Sequence, residues 1–75
     1  MTLYYLTIHE VSGSTVSLSY ENQDRARQQA CSLVSSLAPD QFLTVRDDHG
    51  VIVMIRPNQI SAVILSASDG SPLNL

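Results

Sequence analysis

His9, His49 and Cys31 are the only imidazole and thiol groups in this 75-residue chain. A zinc centre needs about four ligands, commonly set in close pairs such as Cys-x2-Cys or His-x3-His. Here the gaps between successive candidates are 22 and 18 residues. That spacing matches no metal pattern, and no metal is expected. Plainer roles fit better. His9 lies in a strand-like run on the side opposite Leu6 and Ile8, and His49 lies in an exposed turn. Cys31 stands beside an apolar helical stripe, as a half-buried small hydrophobe rather than a nucleophile.

Asp47, Asp48 and nearby Asp40 form the one acidic concentration. A calcium ion takes six to eight oxygens, commonly from a loop of about twelve residues, and this loop is much shorter. Turn formation accounts for Asp47 without a ligand, because an Asp side chain bonds the backbone two residues ahead. None of the eleven serines sits in a Gly-x-Ser-x-Gly elbow, and the three glycines form no phosphate-cradling loop. Neither catalysis nor a cofactor is expected.

Aromatic and basic residues offer one binding chemistry. Tyr4 or Tyr5 beside Arg46 and Arg56 could stack on and neutralise a single strand of nucleic acid. Tyr4, Arg46 and Arg56 are the candidate contacts, provided both arginines share an exposed face with Tyr4 or Tyr5. Tyr20 shares its side of a strand with Val16 and Leu18 and belongs in a core. The charge balance argues against general nucleic-acid or anionic-membrane binding. The four arginines are the only cations, there is no lysine, and the formal net charge is −3.

These side chains need elements to hold them. Leu3 to Val11 is β-branched and aromatic, with Tyr4, Leu6 and Ile8 at period two, and Thr15 to Tyr20 alternates apolar with serine. Ser12-Gly13-Ser14 between them predicts a hairpin. Ala26, Ala30, Leu33, Val34 and Leu37 then recur as one helical stripe. With Asn22 as N-cap, Asp24 near the positive end of the dipole and Pro39 as terminator, the spacing predicts a helix over about 22–38. Gln41 to Arg46 and Val51 to Arg56 read as a second hairpin turning through Asp47-Asp48-His49-Gly50, and Ile60 to Leu65 as a fifth strand. The expected fold is α+β, in the order ββαβββ: a mainly antiparallel sheet with one helix across one face. Residues 1–66 form the single expected domain, and the Ser-rich segment 67–75 a flexible tail.

Val51 to Ile55 is apolar at every position, and Ala62 to Leu65 repeats that pattern. Side chains alternate along a strand, so both faces of these strands call for cover, whereas one helix covers one face. A second copy is the simplest cover, and a twofold dimer is the commonest symmetric form. Tyr5, Val51, Val53, Ile55, Val63 and Leu65 are the candidate interface.

With 44% hydrophobic and 15% charged residues, the composition is that of a folded chain. It holds no run near the about 18–20 apolar residues a spanning helix needs, and no signal-peptide pattern. The lone cysteine suits a reducing, cytoplasmic compartment. The outline of a hairpin, a helix and a second hairpin closing on Ile60-x-x-Val63 is shared by many small bacterial and phage proteins. That likeness is one of pattern and transfers no function. The sequence therefore points to a non-enzymatic accessory, regulatory or inhibitory module: a small acidic homo-oligomer that binds another protein. The alternative is a single-stranded nucleic-acid binder.

Overall fold

Alternation along the first two strands decides the centre of the molecule. The computed structural model describes residues 2–73. Strand β1 (Tyr4–Glu10) pairs antiparallel with β2 (Thr15–Tyr20), setting Leu6 opposite Leu18 and Ile8 opposite Val16. Gly13 closes the turn at φ +97°, a left-handed conformation that costs glycine little. Its amide donates to the Glu10 carbonyl at 3.0 Å.

Helix α1 (Gln23–Val34) follows at once. The Asn22 side-chain oxygen accepts from the amides of Asp24 at 2.7 Å and Arg25 at 3.3 Å, satisfying two donors the helix cannot pair itself. The helix stops four residues short of the expected end at position 38. The Ser35 amide and hydroxyl both donate to the Cys31 carbonyl, and the Ser36 hydroxyl accepts from the Ala38 amide. Serine side chains thus offer the backbone an alternative to another helical turn, and Pro39 disfavours helical geometry at Ala38. Val34 is consequently exposed and Leu37 fully so. The stripe reaches the core only through Ala26 and Leu33, with Ala30 partly buried against it.

Strands β3 (Leu43–Arg46) and β4 (Ile52–Ile55) form an antiparallel hairpin of their own. After a short 3-10 turn at Pro57–Gln59, β5 (Ile60–Ala67) returns to pair with β1, Leu6 opposite Leu65 and Ile8 opposite Val63, with a bulge at His9/Glu10. All five strands are in antiparallel sheets with one helix, as the pattern of periods implied. They divide into two sheets, ordered β2-β1-β5 and β3-β4. Helix α1 lies against β1, β2 and β5. Leu6, Ile8, Leu18, Tyr20, Ala26, Leu33, Val45 and Ile55 form one core shared by both sheets and the helix. Burying each large aliphatic among them contributes about 1.5–3 kcal/mol.

Strand β5 runs two residues past its expected end at Leu65, and polar contacts hold the residues that follow. The Ser68 amide donates to the Leu3 carbonyl at 2.8 Å, and the Leu3 amide to the Ser68 hydroxyl at 2.9 Å. Asp69 accepts from the Thr2 hydroxyl at 2.9 Å and the Ser71 amide at 2.9 Å. The Ser71 hydroxyl and amide and the Thr2 hydroxyl hold its pKa down at about 2. The expected loose segment 67–75 extends to residues 74 and 75, which lie outside the described residues.

Candidate interaction surface

The side chains with intrinsic chemistry come to rest apart. His9 sits on the outer face of the three-stranded sheet, its Nδ1 3.2 Å from the Thr15 hydroxyl. His49 is exposed in the β3–β4 turn, and Cys31, expected half-buried, is an exposed free thiol on α1. Ala30 and Leu33 turn inward, which leaves position 31 on the solvent side. Among the described residues no three of His, Cys, Asp and Glu gather closely enough to hold a metal ion.

The acidic turn has a structural use richer than local turn formation. Asp47 Oδ1 accepts from the amides of His49 at 2.8 Å and Val51 at 2.9 Å, while Oδ2 accepts from the Ser19 amide at 3.2 Å. The Asp48 amide donates back to the Ser19 carbonyl at 3.2 Å, and Asp48 Oδ2 accepts from the Glu21 amide at 2.9 Å. Its Oδ1 is ion-paired with the Arg25 guanidinium. Two carboxylates therefore fasten the second hairpin to the free edge of β2. Partial burial pushes the Asp47 pKa up, but the amides of His49, Val51 and Ser19 outweigh it and hold the carboxyl below 3.8. The Tyr20 phenol completes the joint by donating to the Arg46 carbonyl at 2.6 Å. Burial first, then the negative charge of Asp47, pushes its pKa up to about 12.

The same joint fixes which side of the second hairpin faces out. Leu43, Val45, Val53 and Ile55 turn toward the core, and Thr44, Arg46, Ile52 and Met54 turn away. Two of the expected interface residues, Val53 and Ile55, need correction on this point. Ile55 is a core residue at 2% exposure, and Val53, Val63 and Leu65 pack against that core from its margin. Val51 is 41% exposed at the entry to β4. Tyr5 is partly exposed on the outer face of the three-stranded sheet, between Ser19 and Ser66. The candidate interface leaves out the β4 residues that do project, Ile52 at 57% and Met54 at 65% exposure. A signal for them was present. Strand β3 alternates clearly, with Val45 between Thr44 and Arg46, and antiparallel register transfers that parity to β4.

Phe42 and Arg56 extend this outer face at the open end of the hairpin. The Arg56 guanidinium lies 4.5 Å from the centre of the Phe42 ring, a cation–π contact, and Phe42 is 59% exposed. Arg46 stands on the same face beside Ile52. Among the described residues neither Arg46 nor Arg56 has a carboxylate partner. Phe42, Arg46, Ile52, Met54 and Arg56 thus make an apolar strip flanked by two unpaired cations on an otherwise acidic chain. Both arginines share a face, as the nucleic-acid alternative requires, but that face carries neither tyrosine. Tyr4 packs against the core from inside the other sheet, and Tyr5 projects from that sheet's outer side.

A second feature lies between α1 and β5. Arg27, Ala30, Cys31, Val34, Val63 and Leu65 line an open groove of about 220 Å3. It is mostly apolar and runs beside the outer edge of β5. Among the described residues no helix is long and apolar enough to cross a membrane.

Compared with protein-family models, with curated proteins and with solved structures, the chain matches none.

Proposed function

We propose that the chain is a non-enzymatic interaction module that works as a homo-oligomer in a reducing, cytoplasmic compartment and binds another protein. The observation that carries this reading is the outer face of the β3–β4 hairpin, where Phe42, Ile52 and Met54 stand exposed together. Aromatic residues, Met and Arg are enriched where protein surfaces meet, and Lys is depleted. Arg46 and Arg56, which have no carboxylate partner among the described residues, favour a partner that offers carboxylates around an apolar centre.

Affinity capture from the native source with wild-type chain, Ile52→Asp/Met54→Asp and Thr7→Asp tests the reading. The Thr7→Asp change falls on the outer face of the other sheet. A protein held by wild type and Thr7→Asp but lost by the hairpin variant, with unchanged circular dichroism, supports it. Equal capture by all three overturns it. The nucleic-acid alternative draws on the shared placement of Arg46, Arg56 and Phe42. It predicts that Arg46→Glu/Arg56→Glu abolishes binding to single-stranded oligonucleotides, and absent wild-type binding removes it.

A further inference from the structure

The three-stranded sheet has two edges, and they are treated differently. At the β2 edge the Ser19 carbonyl and amide are taken up by Asp48 and Asp47. The other edge is β5, eight residues long, with no strand beyond it among the described residues. The sequence of β5, Ile-Ser-Ala-Val-Ile-Leu-Ser-Ala, contains no Lys, no Pro and no charge. These are the devices that normally keep an exposed edge from pairing with another chain. Its one irregularity, the bulge at His9/Glu10, falls near Ile60 and leaves the strand regular from Ala62 onward.

Which groups this edge offers follows from the register. Ser19 bonds outward, away from β1, so Ser19 and Tyr5 form a pair that does not bond across β1–β2. Tyr5, Thr7 and His9 therefore turn their backbone groups to β5, where they meet Ser66, Ile64 and Ala62. By alternation Val63 and Leu65 direct their amides and carbonyls off the sheet, whereas the Ala67 carbonyl is taken up by the Gly70 amide at 3.1 Å.

We infer that β5 pairs antiparallel with β5 of a second copy about a twofold axis at Ile64, joining two three-stranded sheets into one of six strands. This rests on the homo-oligomer part of the function proposed above and assigns its interface. Centring on Ile64 sets Ala62 against Ser66 and Val63 against Leu65, and the latter two bond outward. The strand carries no charge, so the acidic chain meets itself there without like charges in opposition. The two α1 helices then lie side by side over the junction, and the apolar groove with its exposed Val34 is covered from across the axis. The seven residues that overlap about Ile64 extend about 23 Å, and sheet plus helix stand roughly 20 Å high. That is about 460 Å2 per subunit and ~900 Å2 in total, at the small end of specific interfaces.

Sedimentation velocity at micromolar and higher concentrations tests the assignment on wild type, Ile64→Lys, Ile64→Glu and Met54→Lys. Ile64 and Met54 are both exposed, so each variant should keep the fold, checked by circular dichroism. Wild type is expected at twice the 8.2 kDa chain mass. Each Ile64 variant alone is expected to associate roughly a hundredfold more weakly, since the axis loses two apolar contacts and gains two like charges. An equimolar mixture of the Lys and Glu variants should recover the dimer, and Met54→Lys should remain dimeric. Amide exchange supplies an independent readout, with Val63 and Leu65 protected in the dimer and unprotected in Ile64→Lys. A wild-type monomer, an Ile64→Lys dimer, or dissociation by Met54→Lys overturns the assignment. A wild-type monomer also removes the homo-oligomer part of the proposed function, whereas an Ile64→Lys dimer or dissociation by Met54→Lys removes only this assignment. None of these results alters the capture experiment on the hairpin face.

Discussion

The two hairpins of this chain are built alike, and they meet solvent with opposite chemistry. Each turns through a glycine at positive φ, Gly13 in the first and Gly50 in the second. Each sends its inward residues into the same core: Leu6, Ile8, Leu18 and Tyr20 from one, Val45 and Ile55 from the other. Outward, the first pair of strands shows Thr7, His9, Thr15, Ser17 and Ser19 around a partly exposed Tyr5. The second shows Ile52 and Met54 beside Thr44, between Phe42 and Arg46. A polar outer face is enough for folding, as the first hairpin demonstrates. The apolar outer face of the second adds nothing to the core, which is why contact with another molecule is the function proposed for it.

Adjacent positions on β4 break or sharpen that contrast most directly. Ile55→Ala should destabilise the chain by about 2–4 kcal/mol, because it empties a fully packed site. Met54→Ala, one residue earlier, should change stability by no more than about 0.5 kcal/mol. Urea unfolding of both variants measures the difference. Similar losses would mean that Met54 is covered in solution and that the parity drawn here is wrong.

The joint between the hairpins is the next largest effect. Asp47→Ala leaves the amides of Ser19, His49 and Val51 without their acceptor and should cost about 1–3 kcal/mol. The same carboxylate sets an acid limit. Its folded pKa lies below the ordinary value, so its contribution is complete above the unfolded pKa of 3.8 and declines as pH falls through the folded one. Wild type should therefore lose stability over that acid range more steeply than Asp47→Ala. Parallel acid profiles for the two would contradict the amide contacts as the source of the shift.

How legible all this was in the sequence follows from the same contrast. Strand β2 could be read at once, since Val16, Leu18 and Tyr20 alternate with serines and only one face can be buried. In β4 every residue from Val51 to Ile55 is apolar, so the strand's own pattern carries no parity, and Val53 and Ile55 read as candidate interface. The helix start was legible from Asn22. Its end was not, because two serines compete for the backbone ahead of Pro39. Division into two sheets was equally hidden. It depends on side-chain carboxylates reaching Ser19 and Glu21 across about 27 residues of sequence, and no local period records such a contact.

The Tyr20 phenol gives a smaller effect with a distinctive pH signature. Tyr20→Phe removes one hydrogen bond to the Arg46 carbonyl and should cost about 0.5–1.5 kcal/mol at neutral pH. The folded phenol holds its proton to about pH 12, whereas an unfolded tyrosine ionises near 10. Stability from the neutral phenol is thus complete below pH 10 and is lost as pH rises toward 12. Tyr20→Phe should flatten that alkaline decline, and an unaltered decline would assign it to another group.

The smallest expected change in stability belongs to the surface on which function is proposed. Ile52→Ser/Met54→Ser removes two side chains that are largely exposed in the folded chain, so folding gains little from them and their loss should stay within about 0.5 kcal/mol. Chemical denaturation checks that figure, and partner binding is measured on the same preparation. A near-zero change in folding with a large loss of binding separates the two hairpins by purpose: one outer face serves the fold alone and the other serves contact. A loss of about 1 kcal/mol or more in folding would instead mean that the strip is already buried in the unbound protein, and the second hairpin would then differ from the first only in how its core is reached.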